Sequence, residues 1–120
     1  AMKPPFTRLL AKAVDGLLYP SETDAPFIPF RWKAGKGTAI DAVSARADDH
    51  APVQTVCFDD FFEPLLRSSE GERFAVLKRL LLEQLKDLVV VRTGSPTVTI
   101  HVMGRQGHDW IGVRTVSVET

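Results

Sequence analysis

The chain predicts an α+β fold. Apolar residues recur at helical spacing in two separated stretches, one near the start and one from Phe74 to Leu88. The last third alternates apolar and polar residues in short runs joined by Gly-containing turns, the pattern of an antiparallel meander. Helices and strands are therefore segregated rather than interleaved as βαβ units. A chain of 120 residues suits one domain, and neither a second core nor a separating linker is visible, so residues 1–120 are expected to form a single unit.

Each element has a local reason. After Pro4-Pro5, the residues Phe6, Leu9, Leu10, Ala13, Val14 and Leu17 fall on one helical face. Gly16 suits the C′ position, with Leu17 folding back as the apolar contact after the cap, and Pro20 stops the helix from continuing. From Phe27 to Trp32 the period becomes two, with Ile28, Phe30 and Trp32 on one face. Pro29 lacks a backbone donor and marks this as an edge strand. Thr38-x-x-Asp41 has the spacing of a capping box and predicts a short helix within a long loop.

"VQTVCF" reads as a strand containing Cys57, and "DDFFEPLL" as a brief helix capped by Asp59 and disturbed by Pro64. Ser69-x-x-Glu72 is a second capping box, opening a helix from about Glu72 to Leu88 with Phe74, Leu77, Leu81, Leu85 and Leu88 as its stripe. "LVVVRTG" is a strand entering the turn Gly94-Ser95-Pro96; Val98, Ile100 and Val102 alternate in the next strand, and "GRQGHD" turns the chain back. In the last strand Ile111 and Val113 share one face and Val116 and Val118 the other, which predicts a bulge near Arg114-Thr115.

Composition narrows the function classes. Hydrophobic content of 44% with 25% charged residues is that of a soluble globular protein. No apolar run approaches the roughly 18 residues of a membrane span, so no membrane association is expected. The start "AMKPPFTRLL" is too short and too interrupted by Pro for the apolar region of a signal peptide. One cysteine excludes an internal disulfide and suits a reducing compartment, so a cytoplasmic location is expected. Net charge is zero but uneven: Asp15 to Glu63 holds nine acids and four bases, and the rest six acids and eleven bases, an asymmetry able to steer a charged partner. A pI near 7 provides no basic footprint for nucleic acid. Lys78, Arg79 and Lys86 alternate with Glu83 and Asp87 as a solvated helix face.

Catalytic chemistry finds no support. "GKGT" at Gly35 to Thr38 lacks the upstream glycine and the strand–loop–helix context of a phosphate loop. Of His50, His101 and His108, only His108-Asp109 is a local pair, and no ligand spacing suggests a metal site. Cys57, beside Val56 and Phe58, reads as a small buried hydrophobe. Asp59-Asp60 is explained as an N-cap with a first-turn acid. No Ser/His/Asp order stands out. The expectation is a protein that is not an enzyme and carries no cofactor. The remaining candidate is the turn Ser21-Glu22-Thr23-Asp24, framed by Pro20 and Pro26 between a helix end and an aromatic strand. It reads either as a plain solvated connection or as a binding element presented on a rigid frame, with Glu22 at its tip.

Four stretches together, "DGLLYPSETDAPFIPFRWKAG", "FDDFFEPL", "LKRLLLEQLKDLVVVRTG" and the terminal "VSVET", resemble the nuclease A inhibitor family. Its members are small bacterial proteins that block a non-specific, magnesium-dependent DNA/RNA nuclease. The resemblance runs from about Leu9 to Thr120 and implies an α/β/α sandwich with a mainly antiparallel sheet packed by helices. It implies that Glu22, the glutamate of the "SE" turn, enters the nuclease's active site and engages a magnesium ion held by the partner, and that the terminal Thr120 also contacts the enzyme. The expected partner-binding set is Glu22 and Thr120 with Ser21, Thr23, Asp24 and Glu119 beside them; the partner is a metal-dependent nuclease, with no direct contact to nucleic acid. The family inhibitor carries an acidic, tryptophan-bearing insertion before its long helix, where this chain has "LLRSSEGERF". The alternative is a non-catalytic interaction module on the same scaffold whose partner is not a nuclease.

Overall fold

A computed structural model describes residues 5–20, 24–33, 37–47 and 51–118. The first helix, α1 (Phe6–Val14), follows an extended Pro5 and buries Phe6, Leu10 and Val14, an i, i+4, i+8 stripe. Asp15 is its C-cap, and Gly16 at φ 73° takes the left-handed conformation that a side chain would strain. Leu17 then turns back into the core at 1% exposure. Arg73 Nη2 donates to the carbonyls of Ala13 and Asp15, satisfying oxygens left open at the helix end.

The chain next forms a short antiparallel pair, β1 (Leu18–Tyr19) with β2 (Ala25–Pro26), and continues into β3 (Ile28–Trp32). A short helix, α2 (Ala39–Ser44), precedes β4 (Val53–Val56), α3 (Phe58–Leu66) and α4 (Gly71–Gln84). The meander of β5 (Lys86–Thr93), β6 (Thr97–Gln106) and β7 (Asp109–Val118) completes the chain. Five strands form one sheet in the order β3-β7-β6-β5-β4, every neighbour antiparallel. Pro29 lies on β3 at an edge, as its missing donor requires.

Both faces of the sheet are covered. On one, α1, α3 and α4 pack over Val90, Val98, Ile100, Val102, Ile111 and Val113. Leu77 and Leu81 of the expected helical stripe are fully buried, and Leu85, just past the helix end, nearly so. On the other, Ala39, Ala42 and Val43 of α2 pack over Phe30, Val91, Met103 and Trp110. Helices therefore sandwich a mixed α+β core. The predicted capping box of α2 is present: Asp41 N donates to Thr38 Oγ1 at 3.2 Å and Thr38 N to Asp41 Oδ2 at 3.0 Å.

Four local expectations are corrected. Helix α4 begins at Gly71 with Glu70 as N-cap, so the Ser69-x-x-Glu72 box does not form. The α3–α4 connection is too tight for it: Gly71 N donates to Ser68 O, and a Cβ on Gly71 would stand 2.2 Å from Leu66 O. The same helix ends at Gln84 rather than Leu88. Leu85 is already extended (φ −120°, ψ 152°), Lys86 and Asp87 belong to β5, and Leu88 packs against the core from that strand. Cys57 is an exposed N-cap residue of α3, not a buried strand residue, and Pro64 is accommodated inside that helix. Finally, β7 pairs with β6 without a shift from Gln106↔Asp109 to Thr97↔Val118, so there is no bulge at Arg114-Thr115. Buried Thr115 and Ser117 continue the inward face after Val113, and Val116 faces outward. The register shift lies in β5, between Lys86 and Val89, where Asp87 takes φ 54°.

Candidate functional site

The turn singled out from the sequence is the connection of the β1–β2 pair. Leu18 pairs with Pro26 and Tyr19 with Ala25, so the described strands on either side of the turn form a two-stranded hairpin. Ser21, Glu22 and Thr23 lie outside the described residues, as do Glu119 and Thr120. Asp24 is described and exposed.

The two legs of the hairpin are fixed from below by aromatic rings. Tyr19 stacks on Phe61 of α3, with centroids 5.8 Å apart and planes 5° from parallel, and meets Phe27 edge-on at 6.1 Å. Phe27, at 4% exposure, packs in turn against Phe74 of α4. Such pairs add about 0.5–1.5 kcal/mol each beyond their buried area. A third tie comes from the sheet: Thr115 Oγ1 donates to Ala25 O at 3.4 Å. The short strands are thus both tied to the core.

The hairpin and the end of β7 occupy one end of the sheet. Strand β3 is antiparallel to β7, with Trp32 opposite Trp110 and Ile28 opposite Arg114. Moving back along the chain from Ile28 to Ala25 therefore moves forward along β7 past Thr115. β7 itself is held by β6 as far as Val118, the last described residue. The sequence pointed to the polar turn but not to Tyr19, Phe27, Phe61 and Thr115 as its supports. Only the spacing of aromatic residues about the two prolines hinted at them.

The other sequence candidates are dispersed. His108 is exposed in the β6–β7 turn, and Asp109 pairs with Arg31 across the β3–β7 edge at 2.5 Å. Asp59 is exposed on α3 and pairs with Lys78 of α4 at 3.1 Å. Asp41 is held below the usual carboxylate range by the backbone and side-chain hydrogen bonds of Thr38, which is capping and not catalysis. Among the described residues no three His, Cys, Asp or Glu side chains gather where they could hold a metal ion, and no helix is long and apolar enough to cross a membrane.

Comparison with known proteins agrees with the resemblance read from the sequence. Residues 4–120 match the family described as nuclease A inhibitor-like protein. A search of curated proteins found no match.

Proposed function

Because the chain belongs to the nuclease A inhibitor-like family, we propose that it inhibits a non-specific, Mg-dependent DNA/RNA nuclease by inserting the Ser21–Asp24 turn into the enzyme's metal site. The anchored hairpin is the observation that carries this reading: Tyr19 on Phe61, Phe27 on Phe74 and Thr115 on Ala25 hold both legs. A held turn loses less conformational entropy on docking than a free one.

In this reading Glu22 is the plug. Mg²⁺ is a hard cation that keeps several waters and takes carboxylate oxygen directly or through one of them. A carboxylate delivered to it occupies the place of a substrate phosphate and presents no bond to cleave. The metal belongs to the nuclease, so this chain needs none of its own. Ser21, Thr23 and Asp24 flank the plug as polar contacts. The terminal carboxylate of Thr120, next to Glu119, reaches the same enzyme surface. The shared end of the sheet supports that pairing, since β7 remains hydrogen-bonded to Val118 beside the hairpin legs. The terminal carboxylate then pairs with a Lys or Arg of the nuclease.

Titrating the purified chain against a Mg-dependent non-specific nuclease is the test of inhibition, with a stoichiometric loss of activity expected. A short Gly-Ser tag appended after Thr120 moves the carboxylate without touching the fold. Weakened inhibition by the tagged protein is the expected result, and unchanged inhibition removes Thr120 from the contact. A second reading, an interaction module with a non-nuclease partner, draws on the α3–α4 connection, which is only the four residues Arg67–Glu70 and lacks the acidic insertion of the family inhibitor. No loss of nuclease activity at any ratio would favour it.

A further inference from the structure

The second face of the sheet is only partly covered by α2. Beyond the C-terminal end of that helix lies a cavity of about 400 Å³ bordered by Trp32, Arg46, Thr97, Thr99, His101 and Arg114 among others. His101 and Arg114 are direct partners across β6 and β7, so both side chains rise from the same face. Arg46 reaches the cavity from the end of α2, where its Nη1 donates to Ala42 O and its guanidinium lies 4.1 Å over the Trp32 ring. The Arg114 side chain has no ion pair or hydrogen bond among the described residues. The described lining contains no carboxylate to balance these two cations.

A second, independent feature is the imidazole. His101 is 8% exposed, its ring held by Phe30 at 5.4 Å and Trp32 at 5.2 Å, and its buried Nδ1 has no hydrogen-bond partner among the described residues. An unmatched buried polar atom is costly unless something else completes it. The neighbouring rows add hydroxyls: Thr93 and Thr99 are direct partners across β5 and β6, and Thr97 follows on the same face. The cavity therefore combines two guanidiniums, the His101 imidazole and several hydroxyls, with no acid among its described residues.

We propose that this cavity is a binding site for a small tetrahedral oxyanion of the phosphate or sulfate class, held by Arg46 and Arg114 with His101 and the threonine hydroxyls as further donors. Guanidinium forks suit such oxygens because they donate in parallel pairs. A neutral His101 donates through one ring nitrogen at no charge cost. The site is separate from the hairpin and does not depend on nuclease inhibition.

Occupancy has a signature of its own. Burial first, then Arg114 and Arg46, lower the His101 pKa to about 4. Among the described residues these two arginines are the charged groups facing it; the described β3, β5 and β6 residues of the lining carry no acid or further base besides His101 itself. A bound dianion offsets both arginines and raises that pKa.

The experiment is an NMR titration of the full chain with inorganic sulfate and inorganic phosphate, following the His101 ring. Saturable shifts and an upward move of the His101 pKa in sulfate are expected. Arg114→Gln and Arg46→Gln should each weaken binding by about tenfold or more, the loss of one charge-assisted contact. Arg114 is exposed, so its variant keeps the fold. Arg79→Gln, exposed on α4, should bind as the parent does. A nucleoside monophosphate in a parallel titration separates the sources: tighter binding than inorganic phosphate assigns the site to phosphate esters, and equal or weaker binding to the free anion. Absence of a saturable His101 response, or equal weakening by Arg79→Gln and Arg114→Gln, overturns the proposal.

Discussion

His101 makes the folded protein sensitive to acid. Its pKa is about 4 in the folded chain against an ordinary 6.5. Between those values the unfolded chain binds a proton that the folded chain refuses, so folding stability falls as pH drops from about 6.5 toward 4. The loss from this one group is on the order of 3 kcal/mol over the window. His101→Phe retains a ring among Phe30 and Trp32 and removes the proton, and urea unfolding midpoints across that window should then flatten. Asp41 acts in the same direction at lower pH: its depressed pKa stabilises α2 above the ordinary 3.8, and that contribution is lost as pH falls below it. The two residues differ in how visible they were. Thr38 and Asp41 lie three apart, and local spacing alone reveals their box. His101 depends on Phe30, Trp32, Arg46 and Arg114, which three other parts of the chain supply, and nothing local announces them.

Helix α4 supplies the stripe that packs α1, α3 and the sheet together. Leu81 is fully buried in that cluster, while Leu82, one residue on, is 52% exposed. Leu81→Ala should cost about 2–5 kcal/mol through lost transfer energy and the cavity left behind. Leu82→Ala should stay within about 0.5 kcal/mol, as surface changes do. Urea unfolding of the pair measures both, and similar values would mean that the buried face is wrongly assigned. The helix body was legible because its 3.6-residue period is strong, and the meander because its turns carry Gly94 and Gly107 at φ 96° and 62°. The end of α4 was not. Leu85 and Leu88 keep helical phase in the sequence but reach the same core from an extended segment, since side chains from a helix end and from the strand after it point to one cluster. The phase fault of β7 misled for a related reason: Thr115 and Ser117 are polar yet buried, so hydrophobicity alone loses the alternation.

On the scale of the whole molecule, one five-stranded sheet carries helices on both faces, and the β1–β2 hairpin lies beside the C-terminal half of β7. The fold class could be read from periodicity. The site could be read only in part. The residue physics marked the turn as polar and framed by prolines, whereas the roles proposed for Glu22 and Thr120 came from the family resemblance. The ring of Phe61 that steadies Tyr19 comes from a distant helix, beyond the reach of local patterning. The central claim is that Glu22 acts on a partner's metal and not on this fold. Glu22→Gln keeps the shape of the side chain and removes its charge, so titrating this variant and the parent against one Mg-dependent nuclease, with unfolding midpoints taken on the same samples, tests it most directly. Inhibition should weaken by on the order of 2–5 kcal/mol, roughly 30-fold to several-thousand-fold, with the midpoint unmoved. Inhibition equal to that of the parent, or a midpoint that falls while inhibition holds, would contradict it.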